Sequence, residues 1–316
     1  MTGLTRRRFV MIAAAVAASG PLSARAAQGA ARWRGRALGA PAMMVIDGVG
    51  TAQAHEAIEA ARAEIERLEA QFSLYRPDSA IVRLNRTGSL EAPGADFLEL
   101  LSIAKSVHQA SGGAFDPAVQ PLWRELSAAR TAASWGDDGN YERILARGRA
   151  HADFSHVRLS GERVWFDRPA MAITLNGIAQ GFITDRVAGL MRARGLNHVL
   201  VDIGEIAAIG GRGGGAPWPV SIRRAGGGGM TVRRVTLDGR ALATSEPSAI
   251  LFDEAGAIGH ILDPKDPAAP ARRSLVSVEA DRAVIADALS TAFCLMNDQS
   301  VGAALRAFPE ARMVVG

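Results

Sequence analysis

Ala172-Ile173-Thr174-Leu175-Asn176-Gly177-Ile178-Ala179-Gln180-Gly181 is the stretch on which the fold reading turns, because the hydrophobic period changes inside it. The run Ala172–Leu175 predicts a strand, Asn176-Gly177 a turn, and the residues after Ile178 a helix to Arg194 that Gly195 stops. His198–Ile203 then predicts a second apolar strand, ending at Gly204. Toward the C-terminus, strands are predicted near Val220–Arg223, Met230–Leu237, Ala241–Thr244 and Leu275–Ala280, followed by an apolar helix over Ala283–Met296. Toward the N-terminus, residues 42–49 predict a strand. Ala54, Ile58, Ala61, Ile65, Leu68 and Phe72 then fall at helical spacing with charges on the other face. Pro77 blocks continuation, Asp78 or Ser79 can cap a helix through Ile81 and Leu84, and Asp96–Ala110 is a second amphipathic helix. Val157–Leu159 and Val164–Phe166 alternate around Gly161 as a hairpin, whereas 118–150 reads as helical without definable boundaries. Strands and helices mixed without strict alternation predict an α+β fold. The glycine-rich segments 210–215 and 226–229 read as turns or loops. No Gly-Lys-Ser/Thr follows either, so neither reads as a phosphate loop.

The 316 residues suffice for one large unit with a proper core. The formal charge of +4 would invite a nucleic-acid reading, but Arg6, Arg7, Arg8 and Arg25 alone account for it. Without them the chain is neutral and has no electrostatic footprint for nucleic acid. The N-terminus itself reads as a twin-arginine export signal over 1–26. Thr5-Arg6-Arg7-Arg8-Phe9-Val10 precedes an apolar run to Ala18, then Pro21 and a small-x-small site at Ala24-Arg25-Ala26. That run is far short of the ~20 residues a membrane span needs, so no stable span is expected after its removal, and the expected location is the periplasm. Residues 27–37 are expected to be a linker, with the folded domain over 38–316. The single cysteine, Cys294, lies in an apolar helical run. It excludes an internal disulfide and is expected to pack in the core.

Asp287 and Thr291 stand four residues apart on a helix, on one face and among apolar neighbours. An unpartnered buried aspartate is costly, and a hard cation such as Mg²⁺ would explain it. A helix-start cap and a local Thr bond are the alternative. His260, in Gly259-His260-Ile261-Leu262-Asp263-Pro264, is either structural or a general base. Ala243-Thr244-Ser245 offers hydroxyls for phosphate or for a turn. Gly113-Ala114-Phe115-Asp116-Pro117 sets an aromatic and a carboxylate beside tightly turning backbone, as a ring or ribose holder or as a helix C-terminal turn.

Taken in order, these segments join Phe72-Ser73-Leu74-Tyr75-Arg76-Pro77-Asp78-Ser79, Leu175–Phe182 and Val201-Asp202-Ile203-Gly204. The series resembles the ApbE family of FAD:protein FMN transferases from about Leu38 to Met296, and the leader looks like that of the NosX branch, linked to nitrous oxide respiration. The resemblance implies a single compact α+β unit of mixed sheets and helices, with an FAD cleft between lobes and Mg²⁺ at the pyrophosphate. Asp287 and Thr291 match side-chain metal ligands, and Gly177 matches a backbone-carbonyl ligand. Leu38, Tyr75, Ala114, Phe115, Asp116, Thr174, Gln180 and Ile261 match positions around the flavin nucleotide. His260 and Asp287 match the positions nearest the transfer chemistry, either of them a candidate base.

The implied reaction moves FMN from FAD onto a Thr or Ser hydroxyl of a partner, expected to be the periplasmic domain of a flavin-carrying respiratory membrane protein, and releases AMP. Departures from the family pattern fall at Thr174, Gln180, Glu205 and Glu246. A periplasmic FAD-binding protein, an Mg²⁺-dependent FAD pyrophosphatase and a structural maturation partner for a respiratory complex are the competing expectations.

Overall fold

The computed structural model describes residues 30–131, 140–225, 230–252 and 258–316. The leader expected over 1–26 and the glycine-rich residues 226–229 lie outside them. In chain order the elements are β1 (Ala31–Ala37), β2 (Ala40–Ile46), α1 (Thr51–Phe72), α2 (Ala80–Thr87), β3 (Ser89–Glu91), α3 (Ala95–Ala110), α4 (Gln120–Thr131) and α5 (Asn140–His151). They continue with β4 (Val157–Leu159), β5 (Arg163–Phe166), α6 (Ala179–Ala193), β6 (Val199–Asp202), β7 (Ile206–Ile209), β8 (Trp218–Arg223) and β9 (Thr231–Leu237). The last are β10 (Ala241–Ser245), β11 (Val276–Ala280), α7 (Ala283–Phe293), α8 (Asp298–Ala307) and β12 (Arg312–Val315).

A seven-stranded sheet in the order β1-β2-β6-β7-β10-β11-β12 forms the frame, with every neighbouring pair antiparallel. Its central strands are buried on both faces. Successive side chains alternate between two cores, because strand side chains point to opposite faces in turn. Val199, Val201, Ala207, Ala241 and Ala243 face the helices α1, α3, α6 and α7. Leu200, Ile206, Ala208 and Leu242 face the β8–β9 ribbon through Trp218, Val220, Ile222 and Leu237. On the helical side Phe72 meets Phe182 edge-on, with centroids 5.6 Å apart, and stacks near Phe97 at 6.2 Å. These contacts pin α1, α3 and α6 together. A smaller core joins Leu122 and Leu126 of α4 to Ile144 and Leu145 of α5 and to Phe252, Ile258 and Leu262. Cys294 is fully buried, as core packing requires.

Two expectations change. The linker expected over 27–37 is a strand from Ala31 onward, paired with β2 along its whole length. Arg32, Arg34 and Arg36 are exposed, while Ala31, Trp33 and Gly35 turn inward, so the stretch has strand period rather than linker composition. The hairpin closes through Leu38 (φ 47°) and Gly39 (φ 84°), the double left-handed turn that matches strand twist. The strand expected over Ala172–Leu175 is extended chain without a strand partner. Asn85 stands in for one: its side chain donates to Ile173 O and accepts from Ile173 N–H, both at 2.8 Å, while Thr174 N–H donates to Pro117 O. Among the described residues no helix is long and apolar enough to cross a membrane.

Candidate functional site

Helices α6 and α7 cross at a glycine. A Cβ on Gly181 would lie 2.4 Å from Ala283 O and 2.7 Å from Val284 Cα, so only glycine lets the two backbones approach this closely. The helices also exchange carboxylates. Asp185 of α6 accepts from the N–H groups of Ala283 (2.7 Å) and Val284 (3.0 Å), capping the start of α7, whose own N-cap residue Arg282 makes no side-chain cap. Asp287 of α7 accepts from Gly181 N–H in the first turn of α6 at 3.0 Å. The crossing thus fixes Asp287, which is 3% exposed, at the positive end of α6.

One turn along α7, Thr291 faces Gly177. A Cβ there would lie 3.1 Å from Thr291 Oγ1 and 3.5 Å from the Phe115 ring. Ser245, at the end of β10, reaches the same spot, its hydroxyl 2.7 Å from Ser290 Oγ and 3.3 Å from Thr291 Oγ1.

These groups form the floor of an open cleft with about 1180 Å³ of free space counting its mouth. Every residue expected at the site lines it: Leu38, Tyr75, Ala114, Phe115, Asp116, Thr174, Gly177, Gln180, His260, Ile261, Asp287 and Thr291. Leu38 projects from the strained β1–β2 turn, held by its N–H to Glu69. Tyr75 stands exposed at the rim. Asp116 spends both oxygens on backbone, accepting from Ala118 (2.7 Å) and Phe154 (3.2 Å). Its neighbours His108 and Asp153 bring three ligand-type atoms within 4.8 Å of one another, but His108 Nδ1 is bonded to Phe115 O. That cluster holds the 113–117 loop in shape.

His260 Nδ1 lies 3.0 Å from Pro247 O. A carbonyl can only accept, so Nδ1 carries the proton and Nε2 keeps its lone pair. Gly259 lets this segment lie against Pro247, since a Cβ there would be 2.3 Å from Pro247 O. Burial lowers the His260 pKa below 6.5, partly opposed by its contacts with Pro247 and Ile250, and keeps the ring neutral near pH 7.

Sequence reading missed Trp123, Gln120 and Ile250 on one wall and did not count Glu205 among the site residues. Trp123 packs edge-on against Phe252 at 5.4 Å, and it lies in the segment whose helices had no definable boundaries. Glu205 sits in the β6–β7 turn, 5% exposed.

The electrostatics are acidic. Burial, with Asp185's charge adding to it and the Gly181 N–H opposing it, pushes the Asp287 pKa up to about 7. Burial, then the charges of Asp287 and Asp202, raises Glu205 well above the carboxylate range. Among the described residues the walls carry no lysine or arginine. A hard divalent cation fits this donor set of buried carboxylate, hydroxyl and close-lying glycine backbone.

The ApbE family model matches residues 39–314. A FAD:protein FMN transferase of Vibrio cholerae serotype O1 is 30% identical over 246 residues, covering 74% of this chain and 72% of that protein. One of Treponema pallidum (strain Nichols) is 29% identical over 280 residues, covering 82% and 76%. The chain also superposes on the apo form of the Pseudomonas stutzeri flavinyl transferase ApbE, with TM-score 0.74, 25% identity and 88% of each chain covered. For the Thermotoga maritima ApbE protein the TM-score is 0.75, with 26% identity and 90% and 93% covered.

Proposed function

The chain belongs to the ApbE family, and we propose on that footing that its cleft transfers FMN from FAD to a Ser or Thr hydroxyl of a partner protein with help from Mg²⁺. The observation that carries this reading is the convergence of all the expected residues on one cleft whose walls, among the described residues, offer carboxylates and no lysine or arginine. A cation held by the carboxylates would offset the charge of a pyrophosphate bound there.

Asp287, Thr291 and the Gly177 backbone would hold the Mg²⁺, which when bound neutralises pyrophosphate charge. Leu38, Tyr75 and Phe115 offer apolar surface to the flavin nucleotide, and Gln180 offers an amide donor to its phosphates. His260 Nε2 takes the proton of the attacking hydroxyl, whose oxygen bonds to the FMN phosphorus. The bond from that phosphorus to the AMP oxygen breaks, and AMP leaves with the bonding pair. The residue-by-residue resemblance supports these roles.

The twin-arginine leader supports export and a periplasmic acceptor, such as the soluble domain of a respiratory membrane protein. The test incubates purified chain with FAD, Mg²⁺ and an acceptor domain bearing a Ser/Thr flavinylation motif. Mass spectrometry should find one FMN added to the acceptor, with AMP released. Free FMN and AMP with an unmodified acceptor would instead establish a pyrophosphatase. Asp287→Ala should abolish both products.

A further inference from the structure

We propose that Glu205 is a second carboxylate of the cation site, so that this chain holds its divalent ion between acidic side chains of the β6–β7 turn and of α7. The inference rests on the metal-assisted reading above and extends it to a residue outside the ligand set named there.

The turn is built to deliver this side chain. Gly204 adopts φ 89°, and a Cβ on it would lie 2.3 Å from Gln180 Nε2. The chain therefore reverses tightly against Gln180 and sets Glu205 at the cleft floor. Glu205 Oε2 accepts from Thr244 N–H at 3.3 Å, and among the described residues no donor reaches Oε1. Asp287 repeats the pattern, with Oδ2 on Gly181 N–H and, among the described residues, no donor on Oδ1. Each carboxylate is anchored by one oxygen and leaves the other open. Neither has a basic partner among the described residues, and two such groups close together are costly unless a cation or protons join them.

Gln180 supplies an independent sign of a ligand. It is 8% exposed, and its Nε2 is buried with no acceptor. A buried donor left without an acceptor in the same cleft as the two carboxylates fits a cation that also binds an anionic group, since Mg²⁺ is commonly held by one or two carboxylates plus phosphate oxygens. If Glu205 were only a protonated buried acid, metal affinity would not depend on it.

The test measures Mn²⁺ uptake, without FAD, by the electron paramagnetic resonance signal of the free ion. The wild type is compared with Glu205→Gln, Glu205→Asp and Asp287→Asn, and near-ultraviolet circular dichroism reports the fold of each. Glu205→Gln keeps the shape and should weaken binding by about tenfold or more, Glu205→Asp should fall between it and the wild type, and Asp287→Asn should bind least. Wild-type affinity in Glu205→Gln overturns the inference and leaves the rest of the cation site standing. A loss in Glu205→Gln that Glu205→Asp does not partly restore also overturns it, because it marks a structural role. No uptake by the wild type removes the cation reading of the cleft and this inference with it.

Discussion

At the residue scale two buried groups, His260 in the cleft and Asp202 at the end of β6, titrate with opposite consequences. His260 is neutral above its lowered pKa and is protonated below it, so transfer should fall off on an acid limb lying below pH 6.5. A kcat profile with Mg²⁺ and FAD saturating at each pH checks this, and the part of the limb that His260 sets should vanish in His260→Ala. That variant should keep FAD affinity and lose transfer by roughly 10²–10⁴-fold; an equal loss of FAD binding would make His260 a nucleotide contact.

Asp202, at the end of β6, works the other way. Its folded pKa is about 7 against an ordinary 3.8, raised by burial and only partly offset by Gly204 N–H. The stability it contributes is complete below about pH 3.8 and lost as pH rises through about 7. Asp202→Asn should remove that loss and gain up to about 4 kcal/mol over the wild type above pH 7. Urea midpoints of the two proteins at pH 5 and pH 8 measure it. A constant difference between them would show that Asp202 is not the group responsible.

At the element scale the α6–α7 crossing carries the site. Gly181→Ala must push its methyl into the Ala283 carbonyl. It should cost about 1–3 kcal/mol and weaken metal affinity by moving Asp287 off Gly181 N–H. Denaturant titration and Mn²⁺ binding check the two effects together. Stability loss with unchanged metal affinity would separate the crossing from the site.

The strong helices α1, α3, α6 and α7 were legible because their apolar positions recur at helical spacing, and the central strands because both faces are buried. β1 was not, because its exposed Arg32, Arg34 and Arg36 resemble the composition of a linker. Residues 172–175 misled for the converse reason: they are apolar and extended, but Asn85 occupies the place of a neighbouring strand. The site positions came from short motifs, Asp287 and Thr291 among them. The place of Glu205 depends on a turn packing against Gln180 and on β10 donating from Thr244, neither of which is encoded locally.

At the scale of the whole molecule, β6, β7, β10 and α7 meet in the core on the helical side of the sheet, and residues at their ends line one acidic cleft with buried carboxylates. The fold is therefore strained by charge at its functional centre, and a cation that binds there stabilises the entire unit. Linkage fixes the size: an ion at 100 times its dissociation constant adds about 2.7 kcal/mol, or roughly 4–5 °C in Tm for a domain of this size. The shift should be larger at pH 8 than at pH 5, because Asp287, with a pKa of about 7, must release its proton before it can bind metal at the lower pH. Differential scanning calorimetry with and without Mg²⁺ at both pH values measures this, and Asp287→Asn should show little shift at either. An equal shift in that variant would place the stabilising ion elsewhere on the molecule and leave the carboxylates of the cleft to be neutralised by protons alone.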